Sequence, residues 1–108
     1  MMPDYMPDFD FSPKAIVRRR RATKICLARL LDEAEIEMPV DAIQSLAAGY
    51  HHTRFKTYLT QLFALFATGV HRIEMDTLLP VLQDVWNYFP HDSLDGRSPA
   101  EVMAEHLV

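Results

Sequence analysis

Along most of the chain apolar residues recur at intervals of three and four, the period of helices with one buried face. Ser12 followed by Pro13 marks the first start. The hydroxyl can accept from an orphan N–H, and a proline at the first helical position gives up an N–H that had no partner. Ile16, Thr23, Leu27, Leu30, Leu31 and Ala34 then share one stripe, which predicts a helix to about Ile36, ended by Pro39. Asp41 is expected to cap a shorter second helix through Ala42, Ile43, Leu46 and Ala47, stopping near Gly49. Thr53 is expected to cap a third, in which Phe55, Tyr58, Leu59, Leu62, Phe63 and Phe66 make one broad face, with Gly69 as its stop. The breadth of that face makes it the expected central helix. Asp76 is expected to cap a fourth, carrying Leu78, Leu79, Leu82, Val85, Trp86 and Phe89, with Pro80 tolerated in its opening turn. Ser98, Pro99 and Glu101 have the spacing of a capping box, for a fifth helix to the end of the chain.

No period-two alternation is long enough for a strand, and no internal repeat occurs. The expected fold is therefore all-α, an irregular bundle of about five helices forming one domain over residues 13–108. Residues 1–12 read differently. Pro3 and Pro7 exclude a helix interior there, while Tyr5, Phe9 and Phe11 supply rings that prefer to leave water, so this segment is expected to be an extended arm that wraps the domain or docks on a partner.

Composition narrows the class. With 108 residues, 49% of them hydrophobic, the chain can bury a core of its own, and collagen-like or low-complexity classes are excluded. A single cysteine, Cys26, cannot form an internal disulfide, so a reducing compartment, the cytoplasm, is the expected setting. Asp4, Asp8 and Asp10 stand where a signal peptide would carry positive charge, and no apolar run is long enough to cross a bilayer.

The net charge of −4 hides a strong segregation. Residues 14–29 hold Lys14, Arg18, Arg19, Arg20, Arg21, Lys24 and Arg29 without an acid, and residues 30–41 answer with Asp32, Glu33, Glu35, Glu37 and Asp41 without a base. This order opposes the helix dipole, which favours acids at the N-terminus and cations at the C-terminus. Four consecutive arginines also point in four directions around a helix, so no single solvent face can hold them. Arg20 falls on the same side as Leu27 and Leu31. The expectation drawn from this is an overhang, with apolar docking beginning near Thr23 and the basic turns projecting beyond the domain.

That feature selects the function classes. Arg18, Arg19, Arg20, Arg21 and Lys24, with Tyr5, Phe9 and Phe11 of the arm, are the candidate partner-binding residues, for an acidic protein surface or a homo-oligomer. Accessory nucleic-acid binding through the Arg18–Arg21 run is the alternative, opposed by a pI near 5.6 and the lack of a recognition-helix pattern. His51 and His52 are adjacent and would diverge on a helix, while His71, His91 and His106 are scattered, so no metal or other cofactor is expected. Cys26, between Ile25 and Leu27 at the margin of the buried stripe, reads as a small core residue rather than a nucleophile. No glycine-rich phosphate loop exists, and no enzyme is expected.

Residues 86–103 form the one distinctive motif. Pro90, His91, Ser93, Leu94, Gly96, Ser98, Pro99, Ala100 and Glu101 resemble the C-terminal tail of insertion-sequence transposases with an integrase-like core. Only the tail matches, so no catalytic residue carries over. The spacing of Trp86, Pro90, Leu94, Gly96, Ser98 and Pro99 is similar to the toxin-binding helical domain of some bacterial antitoxins, which implies partner binding. The chain stops at Val108, where that family continues with another helix. Packing also accounts for the motif: Pro90 stops a helix, Leu94 plugs inward, Gly96 releases the turn and Ser98-Pro99 restarts, with Trp86, Phe89 and Leu94 sealing the fourth helix against the fifth.

Overall fold

The computed structural model describes residues 11–106, and among these the fold is all-α. Among the described residues five helices follow one another: α1 Pro13–Glu33, α2 Val40–Gly49, α3 Phe55–Ala67, α4 Met75–Tyr88 and α5 Pro99–His106, with a 3₁₀ turn at Asp92–Leu94. The arm residues Tyr5 and Phe9 lie outside the described residues, as does the very end of the chain.

Both serine starts form as their sequences require. Ser12 Oγ accepts from the Ala15 N–H at 3.3 Å. Ser98 Oγ accepts from the Glu101 N–H at 3.1 Å while Glu101 Oε1 accepts from the Ser98 N–H at 2.9 Å, a reciprocal capping box. The three other expected caps do not form. α2 begins at Val40 and α4 at Met75, so Asp41 and Asp76 sit within the first turn, where a carboxylate gains from the helix dipole without capping an N–H. α3 begins at Phe55, and the Thr53 hydroxyl instead lies 2.8 Å from His51 Nδ1.

α1 also ends earlier than expected. Ala34 is its C-cap and Glu35 turns left-handed at φ 56°, so that the Glu35 N–H donates to the Asp32 carbonyl and the Ile36 N–H to the Leu31 carbonyl. This is a Schellman closure with glutamate where glycine is usual. Gly69 acts not as a left-handed stop but as a close-contact residue. A Cβ at that position would lie 2.7 Å from the Ala34 carbonyl oxygen, beside the point where the Val70 N–H donates to that same oxygen at 2.8 Å.

The central element is α4, not α3: α1, α2, α3 and α5 all pack on it, and α1 does so along the longest seam. Leu78, Val81, Leu82, Val85, Trp86 and Phe89 of that segment are buried with Leu27, Leu30, Leu31 and Ala34 from the α1 side, Ile43 and Ala47 from α2, and Tyr58, Leu62 and Phe66 from α3. Tyr58, fully buried, donates its phenol proton to the Leu82 carbonyl at 2.8 Å, and burial pushes that phenol well above its ordinary value.

Candidate functional site

The basic turns of α1 do not overhang. Ala15 and Ile16 are buried at 6% and 3% exposure, so α1 packs against the bundle from its first turn. The four arginines divide into two pairs. Arg19 and Arg20 turn inward, each toward a carboxylate of another helix, whereas Arg18 and Arg21 stay exposed with no carboxylate of the described residues within ion-pair reach. Four consecutive arginines do diverge around the helix, but the two that face inward meet carboxylates of α4 and α5, so the expected overhang does not occur.

Arg20 donates from Nε to the Tyr88 carbonyl at the end of α4, and from Nη2 to Glu101 Oε1 at 2.7 Å. The carboxylate that closes the α5 capping box thus also anchors α1. Burial works to raise the Glu101 carboxyl, but the hydrogen bonds from Ser98 and the charge and hydrogen bond of Arg20 outweigh it and hold it below the usual range. Arg19 Nε lies 3.3 Å from Asp84 Oδ2, and its guanidinium carbon stands 5.4 Å from the Tyr88 ring centroid. Here desolvation wins over the arginine, and the Asp84 carboxyl is raised.

What remains on the outside of α1 is a continuous stripe: Lys14, Arg18, Arg21, Ile25, Ala28 and Asp32, spaced alternately four and three apart and all exposed. Lys24 and Arg29 flank it, and so does Val17, 50% exposed; Ile25 within it is 54% exposed. Phe11, the arm residue that is described, is half-buried and borders a cleft with Pro13, Ile16 and Val17 of α1 and Glu101 and Ala104 of α5.

The motif of residues 86–103 is built around a residue whose role its sequence does not announce. His91 is fully buried; its Nε2–H donates to the Trp86 carbonyl at 2.8 Å, and its ring meets the Trp86 indole edge-on at 4.4 Å. Its backbone carbonyl accepts from the Leu94 and Gly96 N–H groups, and its own N–H donates to the Arg97 carbonyl. Asp95 and Gly96 take left-handed φ of 56° and 80° to close this loop. Trp86 faces α3 through Phe55 and Tyr58, at 5.5 and 4.9 Å, instead of sealing α4 against α5, and Leu94 is only half-buried. Pro90, Ser98 and Pro99 therefore serve as stop and restart around a histidine hub.

Two further polar groups come together only in three dimensions. Ser93 Oγ accepts from the His52 backbone N–H at 2.9 Å and lies 3.0 Å from His52 Nδ1, and His51 stacks on His52 at 4.2 Å. The serine–histidine distance is that of a nucleophile and base, but the hydroxyl is also tied to the backbone of its partner, which makes the pair a surface staple between the α2–α3 connection and the 3₁₀ turn. Among the described residues no three His, Cys, Asp or Glu side chains are grouped to hold a metal ion, and no helix is long and apolar enough to cross a membrane.

No family model, no curated protein and no solved structure matches this chain. The candidate site therefore rests on its own geometry, the outer stripe of α1.

Proposed function

We propose that this chain is a non-enzymatic interaction module, working in the cytoplasm, that presents the outer stripe of α1 to an acidic protein surface. The observation that supports the reading is the division of the arginine run. Two guanidinium groups are used within the fold, while Arg18 and Arg21, with Lys14 and Lys24, have no carboxylate partner among the described residues and stand around Ile25 and Val17. Exposed cations beside exposed aliphatic side chains suit a protein surface, where the aliphatic groups add buried area and the charges set orientation and speed of encounter. A phosphate backbone would use the charges and leave Ile25 and Val17 in water.

The test is direct binding of two labelled probes, a polyglutamate peptide and a nonspecific DNA duplex, to the full chain and to its Arg18→Ala/Arg21→Ala variant. The reading expects the peptide to bind and the variant to lose it. Tighter binding of the duplex, falling steeply with salt, would replace this reading with nucleic-acid recognition. Equal behaviour of the two proteins toward both probes would remove it.

A further inference from the structure

The outer stripe of α1 carries its own complement. Its N-terminal part is basic, Lys14, Arg18 and Arg21, its middle is small and apolar, Ile25 and Ala28, and it ends on Asp32, with Glu33 and Glu35 beyond. Arg18, Arg21 and Asp32 have no charged partner among the described residues. A surface that is positive at one end and negative at the other, with an apolar centre, is self-complementary under a two-fold axis perpendicular to the helix. We infer that the acidic surface α1 meets is α1 of a second copy of this chain, packed antiparallel, an assignment that rests on the reading of α1 as an interaction face and names its partner.

The spacing fixes the register. Residues alternating four and three apart form the seam of two helices packed side by side, and in an antiparallel pair opposing positions sum to a constant. With the axis midway between Ile25 and Ala28, Ile25 of one copy lies against Ala28 of the other, twice by symmetry. Arg21 then opposes Asp32, again twice, and these two pairs carry the electrostatic fit, because Glu35, beyond the end of the helix, already meets His71 at 2.9 Å. Ala28 opposite Ile25 lets the two backbones approach closely enough to cover the 54%-exposed isoleucine. Lys24 and Arg29 fall at the flanks and remain in water. The same arrangement offsets part of the charge order that opposes the dipole of α1, because an antiparallel neighbour sets Arg21 beside Asp32 and its own dipole runs the other way. A parallel pair would align basic turns with basic turns. The acidic groups of the α5 end do not offer the same fit: Glu101 is held by Arg20, and Glu105 is paired with Arg97.

Sedimentation velocity of the full chain over a concentration series at low salt tests this. A monomer–dimer equilibrium is expected, weakening as salt rises. Asp32→Arg and Arg21→Asp should each weaken dimerisation by about tenfold or more, and the doubly exchanged variant should recover most of the loss, because like charges are replaced by a reversed pair. Ile25→Asn should abolish the dimer without touching a charge pair. All three substituted positions are exposed, and a cation in place of Asp32 suits the end of α1, so unchanged far-UV circular dichroism is expected throughout. A chain that stays monomeric at every concentration overturns the inference, as does a dimer indifferent to these variants or a double exchange without recovery. If such a monomer still binds polyglutamate through Arg18 and Arg21, the interaction face stands and only the choice of partner falls.

Discussion

Compared along its length, α1 is fastened in two ways. From Leu27 to Ala34 it contributes Leu27, Leu30, Leu31 and Ala34 to the main core cluster, whereas at its basic end Ala15 and Ile16 are buried apart from that cluster and the holding contacts are polar, Arg19 to Asp84 and Arg20 to Tyr88 and Glu101. Apolar burial is non-directional and responds to changes of volume, while a charged contact depends on a named partner, on solvent access and on pH. The two halves should therefore respond to different perturbations, and by different amounts.

The largest effects belong to the apolar half. Leu27 is 1% exposed, and Leu27→Ala is expected to cost about 2–5 kcal/mol, from lost transfer energy and the cavity left behind, measured as a shift of the urea midpoint with unchanged slope. Gly69→Ala tests the far end of the same half. The new Cβ would meet the Ala34 carbonyl oxygen at 2.7 Å and the Ala34 Cβ at 2.9 Å, backbone and short side chain that cannot swing away. An overpacking cost of about 1–3 kcal/mol is expected. A neutral result at both positions would mean that the apolar half is not the stronger anchor.

The polar half comes next. Arg20→Met keeps the aliphatic stem and removes both the bond to the Tyr88 carbonyl and the ion pair with Glu101, whose side chains are 27% and 37% exposed. Solvent screening at that exposure limits the expected loss to about 1–2 kcal/mol, measured by the same titration. A cost above that of Leu27→Ala would reverse the ranking.

The two ion pairs should also part company with pH. Glu101 is held below its unfolded value, so its contribution is whole above that value and is lost as pH falls through the folded one. Asp84 is held above its unfolded value by burial, so the fold gains stability as pH falls through the folded value of Asp84. Stability followed from neutral pH into the carboxylate range should fall less steeply in Glu101→Gln, which keeps an acceptor for the capping box, and more steeply in Asp84→Asn. Identical slopes in the two variants would show that Arg19 and Arg20 make equivalent contacts.

Much of this was legible in the sequence wherever one residue type admits one role. Ser12-Pro13 and Ser98-Pro99 with Glu101 locate two helix starts because proline at the first position leaves little freedom. Asp41 and Asp76 were ambiguous for a physical reason: a carboxylate is favoured both at the cap and in the first turn, and only coordinates distinguish them. The breadth of the apolar face over Phe55–Phe66 suggested a central α3, yet centrality depends on how many neighbours a helix meets, and that is a property of the whole chain. Arg20 and Glu101 are 81 positions apart, and periodicity carries no information about such a pair. The segment whose spacing resembles transposase tails and antitoxin domains is in its local structure a stop, a turn and a restart around buried His91. The histidine gave no signal because a lone His beside Pro90 has the same spacing whether it is buried or exposed.

The smallest expected effect is the most informative about function. Arg18→Ala/Arg21→Ala removes two cations from the same run as Arg20, from a helix whose dipole disfavours them, and from positions without a described ionic partner. Within one protomer their loss should change stability by no more than about 0.5 kcal/mol, and relief of repulsion would make it a gain. Because a dimer adds stability that grows with protein concentration, the comparison with the parent chain is made by thermal melting at high dilution and repeated at high concentration. A variant that matches its parent when dilute and melts lower when concentrated would separate the outward arginines from the inward ones by the kind of contact they make. A loss of stability already present at high dilution would place Arg18 and Arg21 with Arg20 as part of the fold, and the contrast between the two pairs would disappear.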